Sequence, residues 1–309
     1  MNNKTSLLCP GQGSQYVGMF KDIYDTYSEI SELVKNADEI VGYPLSQICF
    51  EGPIEKLKET RYTQPALFIH SAAIYEIIKD KIKFDAVAGH SVGEYAALYI
   101  AGVLSFEDAL NLVSLRGQLM FTLGEDTPGT MFAVINLPDD KIREVCNNLT
   151  DESKGLYVVP ANFNSPGQVV ISGSAEHLRT NINAFKEAGA RMIKELQVSG
   201  AFHSPLMLPA QNKLEQAINS ITFNDANVPV YTNVTAETTT NAEDIRKSLI
   251  KQLTSPVLWT QSIENMYKNG ITKFIEIGAG NVLQGLVKRI ITDTNTEIIS
   301  IDKLESISV

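Results

Sequence analysis

The sequence predicts an α/β fold: a large domain on a mostly parallel sheet, interrupted by a small domain of βαββαβ order. Three observations carry this expectation. Short β-branched or apolar runs alternate with longer amphipathic stretches over most of the 309 residues, as in parallel sheets with helical crossovers. Between residues 130 and 197 the order changes to the ferredoxin-like arrangement of strands and helices. Finally, "GHSVG" at 89–93 stands between an apolar run, "FDAVA", and a helix-like stretch, "EYAALYIAG", which is a strand–turn–helix junction.

Taken in order, "TSLLC" (5–9) reads as a first buried strand, ended by "PGQGSQ". Helical periodicity follows over about 22–41. It returns after "TQP", where Pro65 suits a first helical turn. "FDAVA" is the second strand and the segment after Ser91 the next helix. "SFEDALNLVSLRGQLMF" opens with Ser105 as N-cap and acidic residues in its first turn. The small domain then comprises "TMFAVINL", "DDKIREVCNNL", "LYVVPAN", "QVVISG", "AEHLRTNINAFKEAG" and "RMIKELQ", with hinges near 124–129 and 198–205. The chain returns to the large domain through a helix after Pro205, a strand "VPVYTNV", and helices near 244–253 and 259–268. A strand "KFIEIG", a helix "NVLQGLVKRI" and a last strand "TEIISI" complete it. The expected division is 1–127 with 199–309 for the large domain and 128–198 for the small one.

Composition narrows the function. A net charge of −10 disfavours nucleic acid or an anionic membrane as the main partner, since both repel the average surface. No basic segment precedes an apolar run at the start, and no run of about 18 apolar residues occurs, so a cytoplasmic location is expected. Cys9, Cys49 and Cys146 are too few and too widely spaced for a disulfide framework or a zinc ligand set.

A G-x-S-x-G run between strand and helix is the pattern of a nucleophile elbow, which projects the serine hydroxyl at the carboxyl end of a strand. Two glycines and a serine also make an ordinary tight turn. A serine needs a base. Of the four histidines, His70 and His177 fall inside predicted helices, and His90 adjoins Ser91, where consecutive side chains diverge. His203, in "SGAFHSP", stands at a hinge beside an interdomain cleft and is the best base by elimination. No acidic third member stands out by spacing. The loop "GQGSQ" and the amide of Val92 are placed to form an oxyanion hole; the loop lacks the third glycine of a dinucleotide fingerprint and the Gly-Lys-Ser/Thr of a P-loop. Arg116 falls on the apolar stripe of its helix among Ala109, Leu112, Val113 and Met120. A guanidinium there is either a structural salt bridge or a fork-like grip on a substrate carboxylate.

With these residues in view, the chain resembles the malonyl-CoA:acyl carrier protein transacylases, which include bacterial fatty-acid-synthesis enzymes and free-standing, trans-acting acyltransferases of polyketide synthases. The resemblance rests on "PGQGSQ", "TQPALF", "GHSVGEY", Arg116 in "SLRGQLM", "NFNSPGQVVISG", "GAFHSPLM", "SPVLWTQSI" and "IEIGAGNVLQGLVKRI", which occur in the family's order. It implies an α/β-hydrolase-like large domain with an inserted ferredoxin-like small domain. It further implies that Ser91 is acylated, that His203 is its base and acid, and that the carbonyl of Gln252 orients the histidine. Gln12 and Val92 would supply the oxyanion amides and Arg116 would bind the acyl carboxylate. Asn162 would lie near the site, and Phe202 would favour malonyl over methylmalonyl. The sequence departs from the family in "GAFH", where many malonyl-specific domains have "HAFH", and in Ala279, where proline is frequent. The implied reaction is malonyl transfer from malonyl-CoA to the phosphopantetheine thiol of an acyl carrier protein or a polyketide synthase carrier domain. It involves no metal or cofactor and a monomeric enzyme. The pathway stays open between fatty acids and polyketides. Lys288 with Arg289, or Arg191 with Lys194, are candidate docking cations for an acidic carrier. The rival readings are a thioester hydrolase of the same fold that clears stalled carrier proteins, and a non-catalytic docking protein.

Overall fold

The computed structural model describes residues 4–198 and 200–307. Among the described residues, ten strands form two sheets. The larger runs β10 (Glu297–Ile301), β9 (Ile271–Ile277), β1 (Lys4–Cys9), β2 (Ala86–Gly89), β7 (Val230–Tyr231), β8 (Thr238–Thr239). All its pairs are parallel except β7 with β8. Strands in such a sheet are covered on both faces, and the side chains show it. Leu7, Val87 and Ile275 point into one apolar layer, and Leu8, Ala88 and Phe274 into the other.

The second sheet is antiparallel, in the order β4 (Val158–Ser165), β5 (Gln168–Ser174), β3 (Gly129–Ile135), β6 (Met192–Glu195). One face packs on helices Asp139–Leu149, Ala175–Asn181 and Asn183–Glu187, through Val134, Phe163 and Ile171 against Ile142, Leu178 and Phe185. Its other face sends Met131, Ala161 and Val170 into the same apolar layer as Leu7, Val87 and Ile275. The molecule is therefore a mixed α/β structure with a mostly parallel sheet and a separate antiparallel one.

Local chemistry shifts several expected boundaries. The helix bearing Pro65 begins at Thr60, so proline lies inside it. Proline has no N–H for the Arg61 carbonyl one turn back, and Tyr43 Oη donates to that carbonyl instead, at 3.3 Å. The expected helix over 22–41 is two, Lys21–Thr26 and Ser28–Val41, broken at the extended Tyr27. The helix over 175–189 is likewise interrupted at Ile182, where Asn181 Nδ2 donates to the His177 carbonyl at 2.8 Å in competition with the backbone. The helix capped by Ser105 extends to Asp126, taking up residues expected in the first hinge. "VPVYTNV" contributes only two strand residues, because Asn233 leaves the sheet to bond the segment after β2. Ser199, in the second expected hinge, lies outside the described residues.

Candidate active site

The parallel register brings Cys9 at the end of β1 beside Gly89 at the end of β2, so the loops after both strands share one edge of the sheet. Ser91 has φ 54°, a left-handed conformation that a non-glycine residue holds only when its surroundings enforce it. Asn233 supplies much of that enforcement: its Oδ1 accepts the Ser91 N–H at 2.7 Å and its Nδ2 donates to the Gly89 carbonyl at 2.6 Å. Gly93 allows the first helical turn to lie on β1, since a Cβ there would stand 2.2 Å from the Cys9 carbonyl oxygen. Gly11 allows the loop after β1 to rest on the same turn; its Cβ would stand 2.6 Å from the His90 carbonyl oxygen.

Ser91 Oγ lies 2.8 Å from His203 Nε2. His203 also has a positive φ, 56°. Its Nδ1 faces two carbonyl oxygens, Gln252 at 2.9 Å and Ser255 at 3.2 Å. Carbonyls only accept, so Nδ1 carries the proton and Nε2 is the acceptor for the serine hydroxyl. Burial, with the Arg116 guanidinium beside it, lowers the His203 pKa to about 3. The imidazole is neutral at pH 7, the form a base must have.

Arg116 is fully buried. It donates from Nη1 to Gln64 Oε1 at 2.7 Å, and from Nη2 to Gln252 Oε1 at 3.0 Å and to Ser91 Oγ at 3.1 Å. All three acceptors are neutral, and Nε has no partner among the described residues. A structural salt bridge would have supplied a carboxylate here.

A cavity of about 100 Å³ opens above Ser91, and Gln12, Val92, Arg116, Asn162, Phe202 and His203 line it. Met120, Met131, Leu196 and Val198 make much of its wall apolar. The cavity thus gathers every residue given a catalytic, oxyanion or acyl-binding role in the sequence except Gln252, which touches it through His203 and Arg116. Among the described residues, no intramolecular acceptor takes the backbone amides of Gln12 or Val92. Phe202 is buried, and a side chain on Gly200 would meet its ring at 3.0 Å, so glycine in "GAFH" leaves the ring its space. Asn162 lies at a register shift of β4 and bridges to Val257.

Four polar residues at the site carry no role in the sequence reading. Gln64, Glu94 and Asn164 stand inside quoted motifs, "TQPALF", "GHSVGEY" and "NFNSPGQVVISG"; Asn233 does not announce itself. The available signal was the one that singled out Arg116, a polar residue on an apolar helical stripe, and Glu94 in "EYAALYIAG" shows it. Asn164 Oδ1 holds His90 Nε2 at 2.8 Å, and Trp259 packs edge-on against the same ring, which turns it from the cavity's chemistry to the fold. The docking candidates Lys288, Arg289, Arg191 and Lys194 are exposed. Arg289 donates to Gln168 at 2.5 Å, linking the last long helix to β5.

A serine under a neutral histidine at a sheet's carboxyl edge, with an arginine reaching the same hydroxyl, is the equipment of an acyl-transfer enzyme with a serine centre. The comparisons specify the family. The model described as "Acyl transferase domain" matches residues 7–302. The chain is 43% identical over 289 residues to the malonyl CoA-acyl carrier protein transacylase of Bacillus subtilis, covering 93% of this chain and 90% of that one. The Haemophilus influenzae protein of the same name is 42% identical, covering 94% and 93%. An acyl carrier protein S-malonyltransferase structure from Vibrio cholerae superimposes with TM-score 0.92 at 40% identity, covering 98% of each chain. A malonyl-transacylase solved with a type II polyketide synthase acyl-carrier protein gives 0.91 at 38% identity, covering 99% and 98%. The chain belongs to the malonyl-CoA:acyl carrier protein transacylase family.

Proposed function

We propose that the protein transfers the malonyl group of malonyl-CoA to the phosphopantetheine thiol of an acyl carrier protein, through a malonyl ester on Ser91. His203 Nε2 takes the hydroxyl proton as Oγ attacks the thioester carbonyl, and the Gln252 and Ser255 carbonyls hold the imidazolium that forms. The oxyanion meets the amides of Gln12 and Val92. His203 returns its proton to the departing CoA sulfur. The carrier thiol then gives its proton to His203 and attacks the ester, which restores Ser91. The acyl carboxylate seats on Arg116.

The single observation that carries the dicarboxylic substrate is Arg116: a buried guanidinium at the reacting oxygen, with neutral partners and an unpartnered Nε. The relatives' names support malonyl as the group carried. They lend nothing to the hydrolase rival, which has no use for a carboxylate grip, and the docking-protein rival leaves the Ser91–His203 pair without a purpose. Among the described residues no helix is long and apolar enough to cross a membrane; the acyl-carrier-protein chemistry named for the relatives supports a cytoplasmic site of action. The test is incubation with radiolabelled malonyl-CoA. Label is expected on the protein, to be lost in Ser91→Ala and chased by added carrier protein. Release of free malonate without protein label would refute transfer.

A further inference from the structure

Glu94 is a buried ionisable group beside Ser91 and Arg116 that this transfer reaction leaves without a task. It stands in the first turn of helix Gly93–Ile100, where an acidic side chain ordinarily faces water and complements the helix dipole. Here it is fully buried, and burial raises its carboxyl pKa to about 7. Its Oε2 gathers two donors, Gln252 Nε2 at 2.6 Å and the Asn233 backbone amide at 3.3 Å, while Oε1 has no partner among the described residues.

Both donor residues reach the reacting serine. Gln252 gives a second N–H to the Ser91 carbonyl at 3.0 Å and takes Arg116 Nη2 on its amide oxygen. Asn233 holds the Ser91 amide. One carboxylate oxygen therefore stands behind both the strained turn and the arginine. The Gln252 amide lies between guanidinium and carboxylate, oxygen toward the cation and NH₂ toward the anion, so each of its groups meets its complement. Flipping it would set donor against donor at Arg116 and acceptor against acceptor at Ser91. When ionised, Glu94 is also a counter-charge one amide away, which makes the buried guanidinium tolerable without occupying it. A carboxylate in direct contact would compete for the N–H groups that an acyl carboxylate needs.

We infer that Glu94 is a positioning residue for the carboxylate clamp: it anchors the Gln252 amide that presents Arg116 to the acyl carboxylate. The inference rests on the malonyl-transfer reading. Its test compares wild type, Glu94→Ala and Glu94→Gln for kcat/KM with malonyl-CoA and with acetyl-CoA, which has no carboxylate. Thermal unfolding and fluorophosphonate labelling of Ser91 run alongside. Loss of the anchor in Glu94→Ala is expected to lower the malonyl:acetyl ratio of kcat/KM about tenfold or more, beyond any smaller loss that a slackened Ser91 turn imposes on both donors. Glu94→Gln keeps an oxygen for both donors and is expected to bring the malonyl:acetyl ratio back to within about threefold. Equal losses for both donors, an unchanged ratio, or a Glu94→Gln enzyme as defective as Glu94→Ala would overturn the assignment. Should the alanine variant not fold, Glu94→Met, of similar length and without an acceptor oxygen, carries the same comparison. A wild-type enzyme that takes no malonyl would instead refute the underlying reading, and the wild-type assay alone shows it.

Discussion

Replacing Arg116 by alanine separates recognition of the acyl carboxylate from the chemistry on the thioester. The side chain is fully buried and meets Ser91 Oγ at 3.1 Å, so a malonyl group on that oxygen has its carboxylate within reach of the guanidinium. Two charge-assisted hydrogen bonds of about 1.5–3 kcal/mol each would be lost, about 3–6 kcal/mol together. That corresponds to about 10²- to 10⁴-fold in kcat/KM for malonyl-CoA. Acetyl-CoA offers the arginine no carboxylate, and its kcat/KM is expected to change by less than about tenfold, through the lost bond to the serine hydroxyl. Stability is pulled both ways. Gln64 Oε1 and Gln252 Oε1 lose their donor, while a desolvated cation with no anion in contact is removed. The assay is steady-state transfer to a carrier protein from each donor, with thermal unfolding to certify the fold. Malonyl kinetics within about threefold of wild type, or equal losses for both donors, would refute the clamp.

Two further expectations follow from the same cavity. Phe202→Ala is expected to raise methylmalonyl-CoA relative to malonyl-CoA by about tenfold in kcat/KM, because a buried ring would otherwise meet the branched α-carbon; comparable wild-type values for the two donors would sink this account. Folding stability should vary with pH on the acid side of neutrality, where two buried groups of the site pull in opposite directions. His203 has a folded pKa near 3 and an unfolded one near 6.5, so the unfolded chain binds more protons in between, and up to about 5 kcal/mol is lost as pH falls through that window. Glu94 runs the opposite way. Its folded pKa near 7 exceeds the unfolded 4.5, so its contribution is complete below pH 4.5 and is lost, by about 3 kcal/mol, as pH rises through 7. In denaturant titrations between pH 3 and pH 7, His203→Gln should lose the stability that rises with pH and Glu94→Gln the stability that falls with it; slopes unchanged from wild type would refute the assignments.

Much of this was legible because the residues that decide it violate local expectation. Arg116 on an apolar stripe and a serine between two glycines after a buried strand both stand out against a background of regular periodicity. The small antiparallel sheet was equally readable, since its elements are bounded by turn residues and three of its four strands bury apolar residues. What the sequence hid are contacts between distant segments. Asn233 lies 142 residues from the serine whose amide it holds, and Gln64 lies 52 from Arg116. Nothing in "TNV" or "TQP" records those meetings, because each polar side chain is ordinary in its own neighbourhood. The misplaced boundaries at Pro65 and Asn181 have a similar origin: a side chain or a remote hydroxyl serves a backbone group that local rules assign to a helix end.

The field around His203 also suggests why the arginine sits where it does. In the free enzyme Arg116 adds to burial in keeping the imidazole neutral, and it would oppose the imidazolium formed when the serine gives up its proton. A malonyl carboxylate seated on the guanidinium cancels that opposing charge at the moment the histidine must become positive. A monoacyl thioester leaves it in place. Selection for a dicarboxylic donor would then be exercised twice by one residue, in binding and in the basicity of the histidine. The donor's carboxylate would in this way help to activate the serine that attacks it.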